Sequence, residues 1–393
     1  MRKYDRLRHF VRDRIPDVPV VRKYISDKME KAVLATLIPE ADVVYGEESF
    51  QNKKEVLAKY QSKLGKHLEK TEGDLEDAVK SCVRYQGMDE EELDKIRTDM
   101  RFCRIAYGYL PGEYVAFSLE RRNMKERRSY VSDQQRRMYR YKMNDILAAN
   151  VFIDKSQTYD KYGEYYCRKV IAIRSPQDFD RFHSFVSEHE EFVLKNALDS
   201  LGKGVSLVKR KDMGDEREFF NACIRKGIHV LEDRIQQSRE LCAFNETSVN
   251  TVRVITVKTK KGVVVPYCIL RMGRRGSFID NSGNGGVIAC IDYATGKLKT
   301  DGYDEKGNVY LAHPDTGTIF NGAQLPEWDE LQTLSEKLAM KTEKINMIGW
   351  DFAHTAEGWV MVEGNDSPHI IAQQMILGGL KETMDKLLHE MNE

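Results

Sequence analysis

Three residues near the C-terminal end, Asp351, Glu363 and Asn365, offer oxygen ligands at a spacing that one hairpin can bring together. They belong to the stretch IGWDFAHTAEGWVMVEGNDSPH, residues 348–369. Residues 348–353 and 359–363 are apolar-rich runs of strand type, and Ala356-Glu357-Gly358 between them suits a three-residue turn with Gly358 left-handed. If Thr355 faces Trp359, counting outward sets Asp351 opposite Glu363, and Asn365 emerges two residues later on the same side. Cross-strand partners keep their Cβ atoms roughly 5 Å apart. Two carboxylates and an amide oxygen at that distance suit Mg²⁺, a hard cation that takes about one or two protein carboxylates and completes its shell with phosphates and water. The plain alternative is a surface hairpin that ends in a polar loop.

Residues suited to phosphate lie upstream. Residues 151–155 (VFIDK) lead into a short helix beginning near Lys155, and Phe192-Val193-Leu194-Lys195 is a short apolar strand ending in a lysine. Next comes DSLGKGVSLV, in which Gly202 and Gly204 bracket Lys203. Glycine lets backbone N–H groups approach phosphate oxygens and lysine supplies point charge. The stretch is neither the GxxxxGK[ST] loop nor GxGxxG, and a plain hairpin turn explains it equally well. His229-Val230-Leu231 reads as a strand running into the acidic pair Glu232-Asp233. Residues 251–258 and 263–271 form an alternating hairpin turning at Lys260-Lys261-Gly262. Arg253 and Arg271 sit in its strands, where an unpaired guanidinium is costly, so each needs a carboxylate or a phosphate. GRRGSFIDNSGNGG, residues 273–286, reads as a mobile functional loop. His313, one of nine histidines, reads as a loop residue.

Among the elements that carry these residues, 1–110 read as helices. The clearest is 89–106, with DEEE in its first turn and Gly108 beyond its end. Residues 121–142 hold nine Arg or Lys against two acids. A solvated helical face is the expected explanation, and an anion-binding face for a phosphorylated or acidic substrate, or RNA, is the alternative. After Asn150, strands alternate with helices, as in an α/β or α+β body. A helix over 175–188 has Ser175 as N-cap and Pro176 at its first position. A hairpin at 288–299 turns over Ala294-Thr295-Gly296, and a helix at 326–340 leads into the opening hairpin.

With 393 residues, 41% of them apolar, the chain can bury a large core and suits two or three domains. Lys plus Arg and Asp plus Glu are 62 each, so no whole-chain field favours nucleic acid or an anionic membrane. Seven scattered cysteines without CxxC or zinc-type spacing predict reduced thiols. The basic N-terminus lacks an apolar core region, and no window approaches about 18 apolar residues, which predicts a soluble cytoplasmic protein with no membrane span.

Taken in order, DKS at 154–156, VLKN at Lys195, LGKGV at 201–205, VLEDRI at Glu232, Asp351 and EGN at 363–365 resemble the ATP-grasp superfamily, which includes the D-alanine-D-alanine ligases. NETSVNTVRVITV, FIDNSGNGG, HPDTG and GWDFAHTAEGWVMVEGN are similar to its sugar-transfer-associated branch. The resemblance spans roughly residues 150–380 and implies an α+β ATP-grasp fold of two α+β subdomains gripping ATP, with Mg²⁺ on its phosphates. The division it suggests is a mainly helical N-terminal region 1–120, a basic helical connector 121–150, a subdomain 151–240 with the lysines and glycine loop, and a subdomain 241–393 with the metal site. By resemblance, Lys155 and Lys195 hold the phosphates and Gly202-Lys203-Gly204 closes over them. Glu232 and Asp233 open the hinge that reads adenine, completed to Ile235, with Glu240 for the ribose. Asp351, Glu363 and Asn365 are the metal ligands. Many relatives carry an arginine where this chain has Gly349, so Arg253 or Arg271 is expected to serve the transferred phosphate with Lys195. Relatives also begin with a Rossmann-like domain where this chain looks helical.

The activity so implied is an ATP-dependent carboxylate–amine ligase acting through an acyl phosphate, on small-molecule and sugar-linked substrates. Nucleic acid is not an expected partner. A phosphotransferase on the same fold and a polyanion-binding module using residues 121–142 are the rival readings.

Overall fold

The computed structural model describes residues 19–199, 204–274, 276, 285–304 and 307–392. Its N-terminal part is helical, as the spacing predicts. The helix Glu90–Ala106 is fixed by a capping box, in which Asp89 accepts from the N–H of Glu92 at 2.9 Å and Glu92 from that of Asp89 at 3.0 Å. The helix ends before Gly108, whose φ is +82°. It packs with the helices Glu40–Glu48, Phe50–Glu69 and Glu72–Ser81 around Phe102, Ile105, Leu64 and Val79. Phe102 lies so close to Gly46 that a Cβ there would stand 2.2 Å from its ring.

The basic run at 121–142 departs from expectation, because three of its arginines are buried. Arg127 donates to Asp99 at 2.9 and 2.6 Å and to Glu47 at 3.0 Å, with 4% of its side chain exposed. Arg136 pairs with Asp133, and Arg140 with Asp366. Arg121, Lys125, Arg137 and Lys142 remain exposed. The carboxylates that receive Arg127 come from distant helices, so charge spacing along the run carried no sign of them. Asp133–Met143 forms a helix, N-capped by Ser132, that leads the chain out of this region.

Two antiparallel sheets follow. The first holds β1 (Val170–Ile173), β2 (Glu191–Asn196), β3 (Val205–Lys209) and β4 (His229–Glu232) in the order β1-β4-β2-β3. Phe192 and Leu231 of this sheet pack on Phe182, Phe185 and Phe220 of the helices Phe179–Ser187 and Glu216–Lys226. Ser175 and Pro176 open a 3₁₀ turn, Pro176–Asp178, and the α-helix itself begins at Phe179.

The second sheet is built from β5 (Thr251–Thr259), β6 (Gly262–Met272), β7 (Val287–Asp292), β8 (Lys297–Leu298), β9 (Gly302–Tyr303), β10 (Val309–Tyr310), β11 (Met347–Thr355) and β12 (Gly358–Asn365). Its order is β10-β9-β7-β6-β5-β11-β12, with β8 paired to β7. Alternation along the strands sorts the side chains. Val252, Val254, Leu270, Trp350 and Phe352 share one core with Trp328, Leu331 and Leu338 of the helix Trp328–Lys341. Ile255, Val257, Ile269 and Met347 face the other way, against Tyr139 and Met143 and against Met384 and Leu387 of the helix Lys381–Asn392. Fully burying such a side chain contributes about 1.5–3 kcal/mol.

The turns of the two long hairpins are tighter than the sequence suggests. Thr259 pairs with Gly262 and Thr355 with Gly358, so each turn has two residues and its glycine, at φ +129° and +101°, already belongs to the returning strand. All seven cysteines are free thiols. Among the described residues no helix is long and apolar enough to cross a membrane.

Removing one partner of a buried ion pair strands the other charge, at a cost of about 3–5 kcal/mol. Arg127→Ala should therefore lower the stability of the helical region by about that amount, read by urea denaturation. A loss below about 1 kcal/mol would show that Asp99 and Glu47 do not depend on it.

Candidate active site

The hairpin β11–β12 brings Asp351 directly opposite Glu363 and Gly349 opposite Asn365. The route differs from simple counting. From the turn outward His354 faces Trp359, Ala353 faces Val360 and Phe352 faces Met361; the register then shifts, leaving Val362 as a bulge. The bulge turns Glu363 to the opposite face from Met361, which is in the apolar core. Without it, Met361 and Glu363 would point the same way. The strand can pass here because residue 364 is glycine: a Cβ would sit 2.6 Å from the ring of Phe152. Phe152 ends the 3₁₀ turn Ala148–Phe152 that leads to the helix Lys155–Tyr162, so this close approach also brings Lys155 toward Glu363.

On the other side of β11, Arg253 of β5 pairs in register with Asp351 and grips its carboxylate through Nε and through Nη2, the latter at 2.6 Å. Arg271 of β6 adds Nη1 at 3.2 Å. Both arginines thus find the carboxylate partner that their burial demanded. Burial opposes ionisation of Asp351, but the two guanidiniums hold its carboxyl below the usual range. Glu363 is driven the other way, raised by burial and by the charge of Asp351 against the pull of Lys155, Arg253 and Lys195. Its side chain is 43% exposed.

The lysines come from the first sheet and from the helix Lys155–Tyr162 anchored to its edge. Asp154 caps the helix at Lys155, accepting from the N–H of Ser156 at 2.9 Å, while the Lys155 N–H donates to Ala197 O at 3.0 Å. Lys155 Nζ donates to Asp199 O. Burial and the neighbouring Lys195 lower its pKa, while Glu363, Asp199 and Glu232 act in the opposite sense. Lys195, on β2, forms an ion pair with Glu232 on β4. Glu232 is 2% exposed and also holds Arg168, whose Nε donates at 2.7 Å. Burial works against its charge, yet Arg168 and Lys195 keep it below the ordinary glutamate value.

A family model described as sugar-transfer associated ATP-grasp matches residues 134–387. The chain belongs to this ATP-grasp family. It has the ATP-grasp fold, preceded by a helical N-terminal region. Among solved structures it is similar to D-alanyl-alanine synthetase A from Vibrio cholerae, at 12% identity and TM-score 0.41, over 63% of this chain and 67% of that one. It is similar to D-alanine-D-alanine ligase from Helicobacter pylori at 13% identity and TM-score 0.38, over 63% and 59%. For N5-carboxyaminoimidazole synthetase from Staphylococcus aureus complexed with ADP, the values are 11%, 0.39, 68% and 54%. The chain thus spans between about half and two thirds of these structures' lengths. No curated protein matches it.

Gly349 is where this ATP-grasp chain departs from the arginine expected of many relatives, and packing explains why. A Cβ on Gly349 would lie 2.6 Å from Pro368 Cβ and 3.4 Å from Arg253 Cδ, so the space an arginine would need is filled by Arg253 and the loop after β12. Gly202 and Lys203 lie outside the described residues, as do most of residues 273–286. Gly204 is described, at φ +74°. Asp233 is bound to His189 at 2.6 Å and accepts the Lys169 N–H at 2.8 Å. Ile235 lies in the link from β4 to Gln237, which bridges to Thr355. Glu240 is exposed in the first turn of the helix Arg239–Cys242, and hydrogen bonds with its own N–H and with Ser238 hold its carboxyl below the usual value. His313 is buried, its Nε2 3.0 Å from Gly273 O, which makes it an anchor of that loop.

The donor set suits a hard divalent cation. Among the described residues no three His, Cys, Asp or Glu converge, but Asp351 and Glu363 are two carboxylates in mutual repulsion, a strain that a cation relieves. Asn365 adds an amide oxygen that accepts the Ser367 N–H at 2.9 Å and keeps a lone pair.

Arg168 escaped the sequence reading. Besides Glu232 it bonds the Met361 carbonyl of β12 at 2.8 Å, tying the lysine-bearing sheet to the carboxylate hairpin. A lone arginine in CRKV has no motif, and its partner is 64 residues away.

Because Glu232 titrates below its usual 4.5, its contribution to stability is complete above that pH and is lost as pH falls through the folded value. In Arg168→Met the folded value rises, so the loss should begin at higher pH. Urea midpoints measured from about pH 3 to 6 check this; parallel profiles for wild type and variant would refute the pairing.

Proposed function

We propose that this chain is an ATP-dependent carboxylate–amine ligase that works through an acyl phosphate and releases ADP and phosphate. The observation that carries the reading is the pairing of Asp351 with Glu363 on one hairpin, with Lys155, at the head of its helix, and Lys195, on β2, both acting on Glu363. Membership of the ATP-grasp family supports ATP as the phosphoryl donor, and the family's description supports a substrate from polysaccharide or sugar-conjugate synthesis.

In this reading Lys155 and Lys195 hold the nucleotide phosphates, and the backbone from Glu232 to Ile235 receives the adenine. Mg²⁺ held by Asp351, Glu363 and Asn365 supplies neutralising charge to the phosphates when bound. A substrate carboxylate attacks the γ-phosphate, and Arg253 and Arg271, oriented by Asp351, face the charge that spreads over the transferred group. An amine then displaces phosphate from the acyl phosphate. This chemistry needs no nucleophilic side chain, in keeping with a site made of lysine, arginine and carboxylate.

Mg²⁺-ATP, hydroxylamine and a panel of carboxylic acids should give hydroxamate together with ADP. A stable phosphorylated product in place of hydroxamate would make the chain a phosphotransferase. Glu363→Ala should abolish turnover with the circular dichroism spectrum unchanged, and wild-type rates in that variant would remove Glu363 from the metal set. Lys195→Met should weaken ATP binding about tenfold or more, the loss of one charge-assisted contact; an unchanged Kd in calorimetry would take Lys195 off the phosphates.

A further inference from the structure

The basic run at 121–142 has a part that buried ion pairing does not account for. The helix Asp133–Met143 docks on residues 366–369, the loop that follows the carboxylate hairpin. Arg136 donates to the carbonyl of Ser367 at 2.9 Å and to its hydroxyl, Arg140 Nε to Asp366 at 2.7 Å, and Asn144 Nδ2 to Asp366 O at 3.2 Å. The same loop lies over β11, where the missing side chain of Gly349 leaves room for Pro368 beside the stem of Arg253. One helix face therefore forms a wall next to the Asp351–Arg253 pair.

The charges on that wall are unequal. Arg136 and Arg137 share one carboxylate, Asp133, and the Arg137 side chain is 46% exposed. Glu113, packed beside them, uses its carboxyl on the N–H groups of Asp133 and Leu110, at 2.7 and 2.8 Å, and burial pushes it up to about 7. His369 is exposed, yet the protein packed about its ring and the charges of Arg136, Arg253 and Arg137 hold it at about 4 against the pull of Asp133. His369 follows Pro368 on the loop that Arg136 holds through Ser367, so its imidazole and the exposed guanidinium of Arg137 are carried by the same docked helix and loop.

We propose that Arg137 and His369, with Arg253 at its inner edge, form a subsite for an anionic group, carboxylate or phosphate, on the substrate other than ATP. The subsite rests on the ligase reading, because its position beside the phosphoryl-transfer residues is what makes its ligand a substrate. It also gives the helix Asp133–Met143 a task. Guanidinium and imidazole N–H together match the oxygens of a small anion, and their placement against a loop next to Glu363 suits a small molecule rather than a polymer lying across an open face.

The test uses the full chain with Mg²⁺-ADP and two probes, succinate for carboxylate and inorganic phosphate for phosphoryl, followed by calorimetry and by NMR of the His369 imidazole. At least one probe should bind the wild type and shift the His369 signal, and Arg137→Gln should weaken it about tenfold, the loss of one charge-assisted contact, with ADP affinity unchanged. Arg137→Lys should restore part of the loss, and His369→Gln should weaken the same probe. The better probe names the group. Equal binding by wild type and Arg137→Gln, or binding of neither probe while ADP still binds, would overturn the subsite and leave the nucleotide reading standing. Failure of the wild type to bind ADP would overturn the nucleotide reading itself.

Discussion

Asp351 and Glu363 stand across one strand pair, and two carboxylates at that spacing cannot both ionise freely. Much of the surrounding charge answers to this repulsion. Arg253 and Arg271 fix Asp351 as the ionised member, while Glu363 takes up the conflict, its carboxyl raised despite the opposing charges of Lys155, Arg253 and Lys195. Lys195 in turn is balanced by Glu232, and Glu232 by Arg168. Positive and negative groups alternate from one sheet to the other, and a charge added at one end is felt along the series. In a partly desolvated site such ordering is worth more than the same contacts at the surface, since the effective dielectric is lower.

The helical N-terminal region joins this arrangement through side chains. Helix Asp133–Met143 reaches the loop after β12 through Arg136, Arg140 and Asn144, and Gln374 brackets Val131 with a hydrogen bond from its N–H at 2.7 Å and one to its carbonyl at 3.1 Å. Gly379 meets Ser129 so closely that a Cβ would stand 2.0 Å from the backbone oxygen. These contacts reach the sheet body beside the loop that follows Asn365.

What could be read from the sequence is whatever sequence neighbours determine. The strand ending at Lys195, the short helix beginning near Lys155, the acidic first turn of the helix at 89–106 and the facing of Asp351 and Glu363 each rest on patterns shorter than about fifteen residues, within reach of period and capping rules. The arginines of β5 and β6 could be said to need a partner, but that Asp351 serves both emerges only when strands 98 and 80 residues apart are paired. The same limit hid Arg168 and made the buried Arg127 look like part of a solvated face. The facing of Asp351 and Glu363 holds by compensation: a three-residue turn with regular pairing and a two-residue turn followed by a bulge set the same two residues opposite, and short-range pattern does not reveal the bulge.

That bulge at Val362 acts as a joint in the hairpin. Toward the turn, pairing obeys one register and delivers Trp359 and Met361 to the core; beyond it a second register delivers Glu363 and Asn365 to the site. The two ends are consequently free to vary on different terms. The turn can change its length or sequence so long as its own pairs close, and the carboxylates keep their facing as long as residue 362 stays outside the pairing. Were Val362 paired regularly instead, it would stand opposite Asp351 and Glu363 would follow Met361 toward the apolar core, so a residue with no chemistry of its own decides which side chain meets Asp351.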